Sequence, residues 1–359
     1  MTMRIIKALK TINYRLLLAV LATMLLPTIY QTVRIYFLGD LPSDVGINIA
    51  SQLSWVNLIY EVVQEALILP LFFLLGKSLS DKDEFANKVR TGLAITAGIY
   101  LIVSVFIIVC AKPLVVLMAQ DELLIQATVE YVRIETIAAL FSTLWRFMLL
   151  VLVTLRKDTY IYMVLGVQMV LSILFDTFLV SALSVSVNMG VNGIAVTNII
   201  VNFTVLVIAG LLLRKEEIRF FARVKWSFSW LKEWFKVGKF SGLESLLRNL
   251  VFMVMVVRMV NLVSEQGNYW VANNFIWQWL LLPGLALADV VKKEIAENRE
   301  NVRNKTFGYL CLTAIFAALW LATIPNMETV FAIRDECCRI LYRIPYRFVG
   351  NRFLFDVLV

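Results

Sequence analysis

Asp176, Glu61 and Glu65 stand inside long runs of apolar residues, as do Arg34, Arg133, Arg146, Arg248 and Arg258. An ionisable side chain in such a run is expensive, so it faces protein or water and marks a functional position by default. Ser172 precedes Asp176 by one helical turn, which puts a hydroxyl and a carboxylate on one face. Oxygen ligands of this kind suit Na⁺, and a buried carboxylate suits a proton. The plainer alternative for Asp176 is a structural carboxylate capped by its neighbours. Glu61 and Glu65 are also one turn apart, with Gln64 between them. They hold a proton or a cationic substrate, or they serve as partners for buried arginines; the residues leave both readings open. Glu244 and Arg248 have the spacing of an ion pair on one helix. Arg133 and Arg258 lie near the ends of their runs and are expected to snorkel, whereas Arg146 lies deep.

Other chemistry is excluded by residue type. The chain has no histidine, which removes His-based metal sites and His general bases. Its four cysteines, Cys110, Cys311, Cys337 and Cys338, lack metal-ligand spacing, and the adjacent last two make a poor disulfide. No nucleotide loop is present. No catalytic residue, resident metal or cofactor is expected, only Na⁺ or H⁺ as a coupling ion. The chain reads as a non-enzyme.

The elements that position these charges are long helices. Hydrophobic residues make up 60% of the 359, charged residues 17%, and the mean hydropathy is +0.79. About twenty apolar residues at about 1.5 Å rise span the hydrocarbon core of a bilayer. Nine such spans are expected, near 16–38, 53–75, 91–111, 132–154, 161–183, 192–213, 240–263, 270–290 and 307–324. The fold class is therefore an all-α polytopic membrane protein. On alternate sides, one set of loops carries 23 Lys/Arg and the other, up to Val330, only Lys112. That asymmetry predicts a cytoplasmic N-terminus in the cell membrane. The net charge of +8 faces the lipid surface, with no nucleic acid implied. The basic start, Met1 to Lys10, leads into an uncleaved first span.

The loop 214–239 differs from the others. It carries Trp226, Trp230 and Trp234 at spacings of four, among eight Lys/Arg. This predicts an amphipathic helix in the cytoplasmic interface with its indoles at headgroup depth, acting as a passive linker or as a lipid sensor. Residues 240–333 begin as 1–213 do: a span, a short outer loop, a proline-bearing span, then a charged inner loop, the order of a parallel repeat. Pro27, Pro70 and Pro283 kink their helices or act as hinges.

Several segments together resemble the multidrug and toxic compound extrusion (MATE) family. Thr154-Leu-Arg-Lys-Asp-Thr-Tyr-Ile-Tyr-Met163 is similar to its link between spans four and five. Phe175-Asp176 and Gly190-Val-Asn-Gly-Ile-Ala-Val-Thr197 resemble its signature in spans five and six. Asp44-Val-Gly-Ile-Asn-Ile-Ala50 and Val237-Gly-Lys-Phe-Ser-Gly-Leu-Glu244 also fit, and the resemblance covers roughly 12–333. It implies a two-lobe helix bundle that exports cationic, amphiphilic organic compounds by Na⁺ or H⁺ antiport. Here that means a six-helix N-lobe (1–213), the linker (214–239) and an incomplete three-helix C-lobe (240–333). Relatives in the same superfamily flip lipid-linked saccharides, the alternative function. The implied partners are a small organic substrate and the bilayer, with no protein partner.

By the same resemblance Asp176 matches the acid of the family's N-lobe cation site, Thr197 sits at its position on span six, and Glu244 falls where an acid is common. Arg34 departs from the pattern, because the family usually has an aspartate there. The reversed charge is expected to approach Asp176, Glu61 or Glu65. It would weaken coupling through Asp176 and move it toward span two.

The end of the chain breaks the loop rule. Arg334-Asp-Glu-Cys-Cys-Arg339 opens a basic tail, 334–359, with Arg343, Arg347 and Arg352 on the expected outer side. The family has twelve spans and nine are expected here. This predicts a reading-frame or gene-model break near Ile333 and a truncated fragment with little transport of its own, or else a short form completed by a partner.

Overall fold

The structure is a computed structural model. It describes residue 9 and residues 12–39, 45–218, 226–263, 266–297 and 299–323. The expected tail, 334–359, and residues 219–225 of the expected linker lie outside these. All regular structure among the described residues is helical. The helices are α1 (Tyr14–Gly39), α2 (Val45–Ser51), α3 (Leu53–Lys77), α4 (Lys82–Val109), α5 (Ala111–Leu117), α6 (Ile125–Thr154), α7 (Asp158–Leu179) and α8 (Val191–Lys215). They continue with α9 (Leu231–Phe252), α10 (Arg258–Leu262), α11 (Gln266–Phe275), α12 (Leu282–Glu297) and α13 (Arg299–Thr323). Two π-helical segments, Met253–Val257 and Ile276–Leu280, join α9 to α10 and extend α11.

Among the described residues, seven helices are long and apolar enough to cross a membrane, or eight if the bent pair Tyr269–Leu280 and Leu282–Val291 is one span. Nine spans were expected. The expected second span, 53–75, falls on α3, a single 25-residue helix that carries both Glu61 and Glu65. The bent pair meets at 47°. Pro283 lies just past the bend, where it has no amide hydrogen for the preceding turn. Pro27 and Pro70 lie within continuous helices.

The described residues pack as two compact units, one within 33–267 and the other within 9–32 and 268–323. In the first, α9 runs along α3 from end to end. The expected interfacial helix is not a separate element, because Leu231–Phe252 is continuous across residue 239. Trp226 is exposed, but Trp230 and Trp234 are buried. Their indole N–H groups donate to Thr91 Oγ1 (3.1 Å) and to the Leu67 carbonyl (2.8 Å). Burial satisfies the indole donors and hides their rings, so these two do not sit as free headgroup anchors.

The approach of α9 to α3 rests on small residues. A Cβ on Gly238 would lie 2.1 Å from the Ala66 carbonyl oxygen, and one on Gly242 would lie 2.7 Å from the Ala66 Cβ. Ser241 Oγ donates to the Glu65 carbonyl (2.8 Å), and Asn249 Nδ2 to the Leu58 carbonyl (3.2 Å). Gly-x-x-x-Gly packing with polar bonds across the seam is how helices associate in lipid, where hydrophobic burial gives no net drive.

At one end of this unit Gln52 is a buried hub. Its amide nitrogen donates to Gln120 Oε1 (2.8 Å), Asn261 Oδ1 (3.2 Å) and Gln266, and its oxygen accepts from Trp55 Nε1 (3.0 Å). In the other unit, Ile12, Leu17, Ala286, Leu287, Val290, Tyr309 and Leu312 form a buried core. Glu294 is buried beside them, accepting from Lys305 Nζ (3.0 Å) and from the Tyr309 hydroxyl.

Candidate functional site

Four helices of the unit 33–267 meet at one charged cluster. Arg34 on α1 donates from Nε to Asp176 Oδ2 on α7 (2.8 Å) and from Nη2 to Oδ1 (3.3 Å). This two-point grip is the strong form of the arginine–carboxylate pair. It is well shielded, with side-chain exposures of 12% and 1%. Glu135 on α6 accepts from Asn198 Nδ2 on α8 (2.7 Å) and is itself buried. The charges of Arg34 and Asp176 lie within its electrostatic reach. Ser172 is buried one turn before Asp176, and Thr197 is fully buried beside Asn198 in sequence. Glu135 Oε2 and Thr197 Oγ1 have no hydrogen-bond partner among the described residues.

The register of the four helices explains why the cluster is closed at one end. Leu38 and Val180 lie one turn after Arg34 and Asp176; Tyr131 and Ile194 lie one turn before Glu135 and Asn198. All four fall in one buried apolar cluster with Ile49 and Ala50 of α2. So α1 and α7 run one way, α6 and α8 the other, and each supplies a polar residue with an apolar one next to it toward the same end. The apolar layer keeps water from that end and strengthens the charge interactions beneath it.

The α7–α8 connection follows from the glycines of Gly190-Val-Asn-Gly193. Gly190 has φ +60°, and a Cβ on Gly193 would lie 2.7 Å from the Leu179 carbonyl oxygen. The Met189 amide donates to that same carbonyl (2.8 Å), so the end of α7 and the start of α8 are locked side by side. At the opposite end of α8, Lys157 Nζ reaches Glu216 at 2.9 Å. That hydrogen bond raises the Lys157 ammonium above the ordinary lysine range and ties the Thr154–Met163 segment to the end of α8.

The remaining expected residues form a second, exposed group. Arg248 Nη2 donates to Glu61 Oε1 (3.1 Å), and its Nη1 lies 3.7 Å from Glu244 Oε1. The three side chains are 42% to 78% exposed. Glu61 is thus engaged by Arg248 rather than by Arg34. Glu65 contributes its backbone carbonyl to Ser241. Arg146 lies at the surface of α6, its guanidinium 5.9 Å from the Trp145 ring centre. Arg133 and Arg258 donate to the carbonyls of Ile108 (3.1 Å) and Leu117 (3.0 Å).

Glu135 and Asn198 are the residues that sequence reasoning passed over. Glu135 was within reach of the rule that singled out Asp176, since it too is an acid in a predicted span. Nothing in the local sequence links it to Asn198, which lies 63 positions away.

No protein-family model matches the chain, and no curated protein matches it in sequence. Solved structures do match in shape. A mutant of the Vibrio cholerae MATE transporter VcmN superposes with a TM-score of 0.69 at 14% identity, over 95% of this chain and 78% of that one. A eukaryotic MATE transporter gives 0.66 at 16% identity, over 95% and 77%. A MOP superfamily transporter from Pyrococcus furiosus, described as having a reversed binding-pocket polarity that suggests a different function, gives 0.68 at 15% identity, over 93% and 76%. These identities speak to architecture alone, and on that the agreement is plain: the chain is an all-α polytopic membrane protein with a MATE-like fold.

Proposed function

We propose that the chain is a secondary active transporter that exports cationic or amphiphilic organic compounds in exchange for Na⁺ or H⁺. Two helical lobes would alternate access to the substrate site, in the cell membrane, with the N-terminus in the cytoplasm. The observation that carries this reading is a buried charged cluster inside a MATE-like fold matched over 95% of the chain. Buried ionisable groups are costly in a bilayer, and ion-coupled transport is the usual reason they are kept. The exposed Glu61–Arg248–Glu244 group carries two acids to one base, a balance suited to a cationic substrate in a wet path.

The second reading, a lipid-linked saccharide flippase, needs free cationic charge for a pyrophosphate. Arg34 is the buried arginine in question, and Asp176 neutralises it. The test is ethidium efflux from proteoliposomes carrying the purified chain, with an imposed proton or Na⁺ gradient. Gradient-driven efflux above protein-free vesicles is expected. No efflux under either gradient, together with translocation of a fluorescent lipid-linked saccharide, would transfer the function to the second reading.

A further inference from the structure

Asp176 is the acid that a sequence reading places first, yet its two oxygens are held by Arg34 at 2.8 Å and 3.3 Å. Both oxygens of that carboxylate are engaged by a group that stays charged, so it is a filled ion pair rather than an open site. Glu61 is engaged by Arg248 and exposed. Glu135 is different. It is buried at 6% exposure, Oε1 is held by Asn198 at 2.7 Å, and Oε2 has no partner among the described residues. A buried carboxylate with one unsatisfied oxygen is a high-energy arrangement in the charged state.

We propose that Glu135, rather than Asp176, is the carboxyl group that exchanges the coupling proton, with Arg34–Asp176 a fixed ion pair beside it. The proposal deepens the transporter reading and rests on it for the word coupling. The proton adds to Oε2 and leaves from it, and no other bond changes. The groups facing Glu135 are Arg34 from α1, Asp176 from α7, Asn198 from α8, Tyr60 from α3 and Tyr131 one turn away on its own helix. Tyr60 is in turn held by Ser104 of α4 (2.9 Å), and α2 carries no titratable residue. Arg34 and Asp176 neutralise each other, so they present Glu135 with a dipole rather than a net charge. The apolar layer of Leu38, Tyr131, Val180 and Ile194 closes one end of the cluster. Proton entry and exit would therefore depend on the conformation of these four helices, as alternating access requires.

The test uses the full chain, purified and placed in nanodiscs. Infrared difference spectra between acidic and alkaline buffer read the C=O stretch of protonated carboxyl groups. A titrating band is expected in the native protein and its loss in Glu135→Gln, whose carbonyl can still accept from Asn198. The band is expected to survive in the Arg34→Gln/Asp176→Asn double variant, which removes the ion pair as a neutral unit. In Asn198→Leu the band remains but its pH midpoint moves, because the one hydrogen bond on the carboxyl is gone.

A band kept in Glu135→Gln, or lost in the double variant, overturns the proposal. If Glu135→Gln is not monodisperse, Asn198→Leu decides, and an unmoved midpoint overturns it. Since the spectrum reads protonation without transport, the two ideas fail separately. A band that behaves as expected in a protein with no gradient-driven efflux removes the transporter reading and leaves the proton site standing.

Discussion

The Arg34 guanidinium spans both oxygens of Asp176, at 2.8 Å and 3.3 Å, across 142 positions of sequence. The pair is almost sealed from solvent. It fixes the ends of α1 and α7 against each other and fills the carboxylate with an internal cation. The desolvation of two charges offsets much of their attraction, so the pair costs little to replace as a unit and much to break.

Breaking it is the first prediction. Arg34→Leu leaves the buried Asp176 carboxylate without its cation, and Asp176→Leu leaves Arg34 without its two-point acceptor; each is expected to lower stability by about 3–5 kcal/mol. The double variant Arg34→Leu/Asp176→Leu is expected to regain most of that loss. Thermal unfolding in one detergent, followed by tryptophan fluorescence, gives all four corners of the cycle. Additive single effects would show that the two side chains are not coupled.

The exposed pair should behave in the opposite way. Glu61→Gln and Arg248→Gln are each expected to change stability by less than about 1 kcal/mol, as exposed ion pairs do. If the group faces the substrate path, Glu61→Gln raises the KM for a cationic dye more than it lowers kcat. A stability loss as large as that of Arg34→Leu would mean that the pair is buried in the membrane-embedded protein.

The α3–α9 seam gives a third test. Gly242→Ala places a methyl 2.7 Å from the Ala66 Cβ and is expected to cost about 1–3 kcal/mol. Gly238→Ala drives a methyl against the Ala66 carbonyl at 2.1 Å and should cost more, because backbone cannot turn away as a side chain can. Ala66→Gly removes the Cβ that Gly242→Ala meets but keeps the carbonyl that Gly238→Ala meets, so it is expected to restore part of the loss in the Gly242→Ala double variant and none in the Gly238→Ala one. Failure of that rescue would place the cause elsewhere.

Orientation is read by labelling. Single cysteines at Lys82 and Leu123, both exposed, sit on opposite sides by the loop-charge asymmetry. In a background with all four native cysteines replaced, an impermeant maleimide on intact cells should label Leu123→Cys and spare Lys82→Cys. The reverse pattern would invert the topology.

Several features are decided by sequence alone, and for one physical reason: they depend on length and local composition. Runs of apolar residues long enough to satisfy every backbone group internally must be helices in a bilayer. The cost of an acid in lipid singled out Asp176 without any contact being known. What tertiary structure decided is pairing. Sequence offered Arg34 three acids, and helix register delivered one, because α1 and α7 bring residues 34 and 176 to the same level. The same register put Glu135 and Asn198 at that level. Trp230 and Trp234 have the spacing of an interfacial stripe, yet they are buried, because Gly238 and Gly242 let α9 come close enough to α3 for the indoles to reach Thr91 and the Leu67 carbonyl. Spacing along one helix says which side chains share a face. Only the neighbouring helix decides what that face meets.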